Sequence, residues 1–318
     1  MSADVMAAHD WSTNGHLIWD LVRLGYLNAK DYTLDTTYGR GVWWKLWQPG
    51  RLLTNGWTDD PGQPPADIDL VVVSTPHDLH TGPVVAAAEA GKHVIIEKPV
   101  ALTMDDVRKQ QAAVNKTGVK TIVSFVLTWN PLLMTIDELI RTGALGNVFM
   151  VEVDYMHRIW CGAEKWLGSK KQAGSSFLAG GCHAVSAMQW FARSEAVEVC
   201  AYSVQTENPN DYPGTTTAVV KFADGKIGRT TSCFDAQMPY VFNIGVYGTE
   251  GSVRNDKVFA PKLFPGQNAF MTVPCALPES GDVTHHPVGG EGTHFVDCIL
   301  ENKKPFPNLD DAVQTMAV

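Results

Sequence analysis

The chain has 318 residues, 45% hydrophobic and 19% charged, which suits two folded domains and excludes disorder as the main state. Asp and Glu outnumber Lys and Arg by 34 to 25, giving a net charge of −9, and the longest basic runs are the pairs Lys170-Lys171 and Lys303-Lys304. This balance argues against nucleic acid as a partner, and the lack of an apolar stretch of about 18 residues argues against a membrane span. Cys161, Cys182, Cys200, Cys233, Cys275 and Cys298 form no CxxC pair and no zinc pattern. They read as buried small residues of a reducing compartment; no signal peptide is visible, so a cytoplasmic protein without a metal site is expected.

The composition changes along the chain. Six of the ten tryptophans precede residue 58, whereas no Glu occurs before Glu89, no Phe before Phe125 and no Cys before Cys161. Residues 15–27 carry Leu17, Ile18, Leu21, Val22 and Leu24 at helical spacing. The segment Tyr32 to Trp44 follows, and Pro61-Gly62-Gln63-Pro64-Pro65 marks a seam that breaks helix and strand alike.

Beyond the seam the rhythm is regular. Asp69 to Ser74 is an apolar run that predicts a strand buried on both faces. A helix over 80–90 closes at Gly91, and His93 to Ile96 predicts a second buried strand, stopped by Pro99. A helix beginning near Thr103, with Asp105 and Asp106 in its first turn, runs to Gly118, and a third strand opens at Thr121. Alternation of strand and helix with short connections predicts a parallel sheet. From Asn147 the pattern changes. A strand over 149–156, a helix over 177–192 and strands over 197–205, 215–222, 226–234 and 242–247 predict an α+β unit on an antiparallel sheet, with Asp224-Gly225 as a hairpin turn.

Two polar clusters stand at the ends of consecutive predicted strands: Ser74-Thr75-Pro76-His77-Asp78-Leu79-His80 and Glu97-Lys98-Pro99. That edge is where open α/β sheets bind ligands. The clusters resemble the Gfo/Idh/MocA family of NAD(P)-dependent oxidoreductases. The family pattern is a strand ending in Thr-Pro-x-x-x-His, then Gly-Lys-His-Val and Glu-Lys-Pro, matched by Thr75, Pro76, His80, Gly91, Lys92, His93, Val94, Glu97, Lys98 and Pro99. The likeness runs from about residue 67 to the end.

The resemblance implies that Lys98 handles the proton of a substrate C–OH while hydride moves to or from NAD or NADP. A partly desolvated ammonium near a cationic cofactor suits acid–base work; the competing reading is a surface lysine after a strand. His183 is the matching histidine, a general base and substrate contact by resemblance, or else a capping or core residue. The family often has Asp four residues before and three after this histidine, where Ala179 and Ser186 stand, and often Arg where Thr128 stands. By the same resemblance Thr75, Pro76, His77, His80 and Glu97 line the cofactor crevice, although His80 serves equally well as a helix cap. Arg158 either binds a polyol or carboxylate or is a solvated strand-end residue. Structural roles are expected for His285, His286 and His294.

Residues 1–66 lack the Gly-x-Gly-x-x-Gly turn that lets backbone amides approach a pyrophosphate. Leu34-Asp35-Thr36-Thr37-Tyr38-Gly39-Arg40-Gly41 instead resembles the opening motif of class I S-adenosylmethionine-dependent methyltransferases. The likeness implies cofactor contacts for Asp35, Gly39 and Gly41. The methyltransferase Asp/Asn-Pro-Pro cluster is missing, so the chain reads as a chimera, and its last helix, opening at Asn308, reads as cut short.

The expectation is a Rossmann-like parallel-sheet domain over 1–128, atypical over 1–66, and an α+β domain over 129–318 with an open, mainly antiparallel sheet. The function expected is NAD(P)-dependent oxidation or reduction of a sugar, inositol or related polyol, in a homo-oligomer formed through the second sheet. A methyltransferase-like protein holding S-adenosylmethionine and a non-catalytic relative are the alternatives.

Overall fold

The computed structural model describes residues 69–274 and 288–318, together with the strand segments 32–35 and 51–54. Strands β1 (Tyr32–Asp35), β2 (Arg51–Thr54), β3 (Leu70–Val73), β4 (His93–Ile96) and β5 (Thr121–Val123) pair in parallel in the order β2-β1-β3-β4-β5. From β1 the chain goes outward to β2 and then crosses to β3 on the other side. The switch point therefore lies between β1 and β3, and a ligand crevice is expected outside their C-terminal ends. Helices α1 (Thr81–Glu89) and α2 (Met104–Thr117) cover one face. Gly91 and Gly118 follow them at φ +73° and +71°, a conformation that suits glycine after a helix end. Thr103 caps α2 by accepting from the Asp106 amide, and Asp105 and Asp106 face the positive end of the helix dipole.

Burial alternates along the apolar runs of β3 and β4. Val71, Val73, Val94 and Ile96 are fully covered by Val84, Ala87, Ala88, Val107 and Val114 of α1 and α2, while their alternating neighbours remain partly accessible.

The second sheet is built from β6 (Val148–Met156), β7 (Ala196–Val204), β8 (Thr215–Phe222), β9 (Ile227–Cys233), β10 (Val241–Gly248), β11 (Ser252–Arg254), β12 (Lys257–Phe259) and β13 (Met271–Thr272). Its order is β13-β12-β11-β10-β6-β9-β8-β7, antiparallel except for the β6–β9 pair. Helices α3 (Pro131–Arg141) and α4 (Cys182–Ala192) cover one face through Leu132, Leu133, Ile136, Met188 and Phe191. Gly228 admits α4 closely: a Cβ there would lie 2.6 Å from the Met188 sulfur. Asp224-Gly225 turns β8 into β9, with Gly225 at φ +89°. The helix predicted over 177–192 opens as a π turn, Phe177–Gly181, before continuing as α4. Helix α3 was not anticipated, although Asn130 caps it and Pro131 starts it.

The chain ends by tying the two sheets together. After α5 (Val288–Leu300), the Val123 amide donates to Pro307 O at 2.9 Å, and α6 (Leu309–Ala317) packs on both α2 and α4. Buried Asn308 caps α6 in a reciprocal box with Asp311, and its amide donates to Pro305 O at 2.9 Å. Asn308→Ala is expected to cost about 1–2 kcal/mol in urea unfolding, because it removes the cap and leaves helix-end amides without partners.

Candidate active site

The C-terminal ends of β3 and β4 bring Thr75, Pro76, His77, His80, Glu97 and Lys98 to one sheet edge, beside the switch point. Thr75 is buried, and its Oγ1 has no hydrogen-bond partner among the described residues. A buried hydroxyl left over at a ligand crevice is a group that a bound molecule can satisfy. The residues present therefore fit a dinucleotide lying across this edge. Gly39 and Gly41, the expected loop contacts, lie outside the described residues.

Pro76 breaks the strand, and the chain makes a 3-10 turn over His77–Leu79 before α1 begins. His77 is buried, with Nδ1 at 3.4 Å from Ala173 O and its ring edge-on to Trp166 at 4.9 Å. Burial first, then the charge of Lys98, pulls the His77 pKa down to about 2, so the ring is neutral at ordinary pH. The Ala173 carbonyl can only accept, which places the proton on Nδ1.

His80 is fully buried and opens α1 without a side-chain capping bond. Its ring lies between two carbonyls instead, Nδ1 at 2.8 Å from Pro99 O and Nε2 at 2.8 Å from Thr75 O. Burial lowers its pKa. His80 thus braces the β3 loop against the Lys98-Pro99 turn, whose peptide bond is cis.

Lys98 reaches from this edge to the second domain. Its Nζ donates to Ala179 O at 2.9 Å, inside the π turn. Single π turns recur at functional sites because the widened turn re-aims backbone groups. Here it presents a carbonyl one turn before His183. Gly180 and Gly181 let the turn lie flat on the second sheet: added Cβ atoms would stand 2.6 Å from the Tyr155 ring and 2.6 Å from Ser232. His183 is buried at the start of α4, stacked on Tyr155 at 6.3 Å and edge-on to Phe125 at 6.1 Å. The Cys182 thiol is pushed up to about 11 by burial, so it stays protonated and is no nucleophile.

Arg158 is exposed, with its guanidinium 4.1 Å from the Trp160 ring centroid. His294 accepts from the Phe306 amide at 3.0 Å and packs on Trp129; His285 and His286 lie outside the described residues. Among the described residues no group of His, Cys, Asp and Glu could hold a metal ion.

Sequence reasoning missed two residues here. Trp166 walls His77 from a loop with no periodic signal. Glu291 is buried in α5, and burial, then the charge of Glu97, raises its pKa to about 8. The helix carrying it was hidden by Gly289, Gly290 and Gly292 in its first turns. Its one readable mark was an acid in an otherwise apolar stretch.

Two family models match this chain. Residues 56–125 match an oxidoreductase family, NAD-binding Rossmann fold, and residues 133–254 match the GFO/IDH/MocA C-terminal domain. Scyllo-inositol 2-dehydrogenase (NAD(+)) of Bacillus subtilis is 24% identical over 94% of this chain and 90% of its own length. Levoglucosan dehydrogenase of Pseudarthrobacter phenanthrenivorans is 27% identical over 61% of this chain, and oxidoreductase YrbE of B. subtilis is 26% identical over 60%; the aligned stretch spans 56% of each. Among solved structures, an oxidoreductase domain protein from Kribbella flavida superposes with a TM-score of 0.78 at 22% identity, covering 96% of this chain and 91% of that one. Levoglucosan dehydrogenase in complex with NADH and L-sorbose gives 0.74 at 20% identity over 96% and 91%. At such identities the superpositions speak for the fold. The alignments covering 94% and 96% of the chain reach into residues 1–66, so the first segment shares its match with the rest. With one model over the sheet that carries Lys98 and another over the helix that carries His183, the chain belongs to the Gfo/Idh/MocA family of oxidoreductases.

Proposed function

We propose that this protein is an NAD(P)-dependent oxidoreductase that interconverts C–OH and C=O on a sugar, inositol or related polyol, with Lys98 and His183 handling the proton. The observation that carries the reading is the Lys98 Nζ to Ala179 O bond, which ties the lysine to the π turn that runs into the helix carrying His183. A bound nicotinamide supplies the hydride chemistry. The chain itself orients and moves the proton. Lys98, as the ammonium, donates a hydrogen bond to the substrate oxygen, and His183 takes the hydroxyl proton as the carbonyl forms. His77, neutral and held by the Ala173 carbonyl, adds no positive charge beside Lys98.

Inositols and levoglucosan are the substrates to try first, because the related enzymes carry those names. The choice between NAD and NADP stays open, as relatives of both kinds match. The likeness of residues 1–66 to methyltransferases draws no support from the comparisons, so S-adenosylmethionine enters only as a control. The free thiols at Cys161, Cys182, Cys200, Cys233 and Cys298 suit a reducing compartment, in keeping with a cytoplasmic placement.

A homo-oligomer through the second sheet completes the reading. Edge strand β7 turns Tyr202 and Val204 to the outer face of the sheet, with Tyr202 81% accessible, and Val219 and Ile227 extend the apolar area onto β8 and β9. Such a patch suits a second copy of the chain. Light scattering is expected to give a multiple of 34.7 kDa, and Tyr202→Glu to move the mass toward one copy; a monomeric wild type contradicts this part.

The function is tested by thermal melting with NADH, NADPH and S-adenosylmethionine. A nicotinamide cofactor is expected to raise the melting temperature, by mass action on the native state, and S-adenosylmethionine is not. Lys98→Ala is expected to keep the cofactor shift and to lower turnover of the active polyol about 10²- to 10⁴-fold. A shift with S-adenosylmethionine alone, or full turnover in Lys98→Ala, overturns the reading.

A further inference from the structure

The connection from β6 to the π turn crosses from the second domain to the cofactor edge and carries Trp166. It contains a 3-10 turn, Trp166–Gly168, and a single helical turn, Lys170–Ala173. It meets His77 twice: the Trp166 indole stands edge-on to the ring at 4.9 Å, and Ala173 O lies 3.4 Å from Nδ1. Trp166 nevertheless keeps 40% of its surface accessible. A ring left this open gains less from burial, so its place depends on the backbone that bears it.

That backbone is gripped by the connection between β7 and β8. Asn210 is the centre of the grip and is buried. Its Oδ1 accepts from the Cys161 amide at 3.1 Å and from the Gly162 amide at 3.2 Å. Its Nδ2 donates to Ile159 O at 3.0 Å and to the Tyr212 hydroxyl at 3.4 Å. The Tyr212 hydroxyl donates in turn to Leu167 O at 2.6 Å, directly beside Trp166. The Asp211 amide donates to Gly168 O at 2.9 Å, and the Asp211 carboxylate accepts from the Lys170 amide. The backbone on both sides of Trp166 is thus fixed from residues 210–212.

The grip is itself anchored. The Asn210 amide donates to Asn208 Oδ1 at 3.0 Å, and Asn208 Nδ2 donates to Asp235 Oδ1 at 2.9 Å, just past the end of β9. Gly168 permits the close approach: a Cβ there would stand 2.0 Å from Gly162 O and 3.0 Å from Asn210 Oδ1. Asparagine suits position 210 because one short stem offers an oxygen with two lone pairs and a nitrogen with two protons, and all four are used. Asp has no proton to give Ile159 O, and Leu would leave buried amides and a carbonyl without partners.

We propose that Asn210 is a positioning residue for the cofactor crevice: it fixes residues 159–168 so that Trp166 stands against His77 as a wall before the cofactor binds. This deepens the dehydrogenase reading and rests on it for the identity of the ligand. A wall already in place spares the ligand the cost of ordering it, so the effect belongs in cofactor affinity rather than in proton transfer by Lys98 and His183.

The test uses the full chain labelled with fluorotryptophan. The fluorine resonance of Trp166 is the one missing from Trp166→Phe. Without any ligand, Asn210→Ala is expected to shift and broaden that resonance, because the freed loop samples more than one position. Val253→Ala, a truncation in the core at β11, is the control for lost stability: it is expected to lower the melting temperature and leave the resonance in place. Asn210→Ala is expected to raise the Kd and KM for NADH about tenfold, with the loss in KM rather than in kcat, and Val253→Ala to match wild type. A merely structural Asn210 would behave as Val253 does. Tyr212→Phe, which removes only the hydroxyl that holds Leu167, is expected to move the same resonance by less, and it decides if Asn210→Ala does not fold. An unmoved Trp166 resonance, or wild-type NADH affinity in a variant whose resonance has moved, overturns the proposal and leaves the dehydrogenase reading standing. Failure of the wild type to bind NADH overturns that reading, and the cofactor wall with it.

Discussion

The Lys98 ammonium is held by a main-chain carbonyl of the other domain, and most of the site's architecture follows from that bond. A hydrogen bond from a charged donor is worth about 1.5–3 kcal/mol, enough to fix one side chain but not to hold two domains together. The domains are held elsewhere, by α6 and the chain before it, with Asn308 capped in place, the Val123 amide on Pro307 O, and Gln189 donating to Gln314 O at 3.0 Å. Lys98 can therefore span a junction that is already set. The π turn supplies the carbonyl, and Gly180 and Gly181 supply the clearance that lets the turn lie on Tyr155 and Ser232.

The electrostatics of the edge follow from burial. His77 is neutral, burial lowers the His80 pKa, and Cys182 keeps its proton. A nicotinamide that is cationic when oxidised would meet few competing positive charges here. The outer face of the second sheet has a different character. Arg229 bridges Glu152 and Asp154 at 3.0 Å each, and Tyr247 donates to Glu152 at 3.0 Å, beside the apolar surface of β7. The proposed assembly surface and the helix that carries His183 thus lie on opposite sides of the same sheet.

Much of this was legible in the sequence because local rules decided it. The runs Leu70–Val73 and His93–Ile96, the Thr103 cap with its following acids, the glycines at 91 and 118 and the Asp224-Gly225 turn each fixed an element through short-range chemistry. The polar clusters after β3 and β4 could be placed at a ligand edge for the same reason. What stayed hidden depended on contacts far apart in sequence. His80 looked like a cap or a crevice residue, yet its ring is fixed by carbonyls 5 and 19 residues away. Gly290 fits against Trp129 and seats the helix that buries Glu291, and nothing in the glycine-rich start of α5 announces a helix. The π turn is likewise a product of packing: the sequence shows helical spacing across 177–192, and the wider turn forms where Gly180 and Gly181 press on the sheet.

The account makes one spatial claim above all, that the cofactor lies across the ends of β3 and β4, where Lys98 crosses to the π turn. Amide hydrogen exchange of the full chain with and without NADH tests it most directly. The account predicts slowed exchange in peptides covering 74–80, 97–101 and 177–183, and unchanged exchange in β8 and β9. Protection confined to other peptides, with these three unaffected, would contradict it.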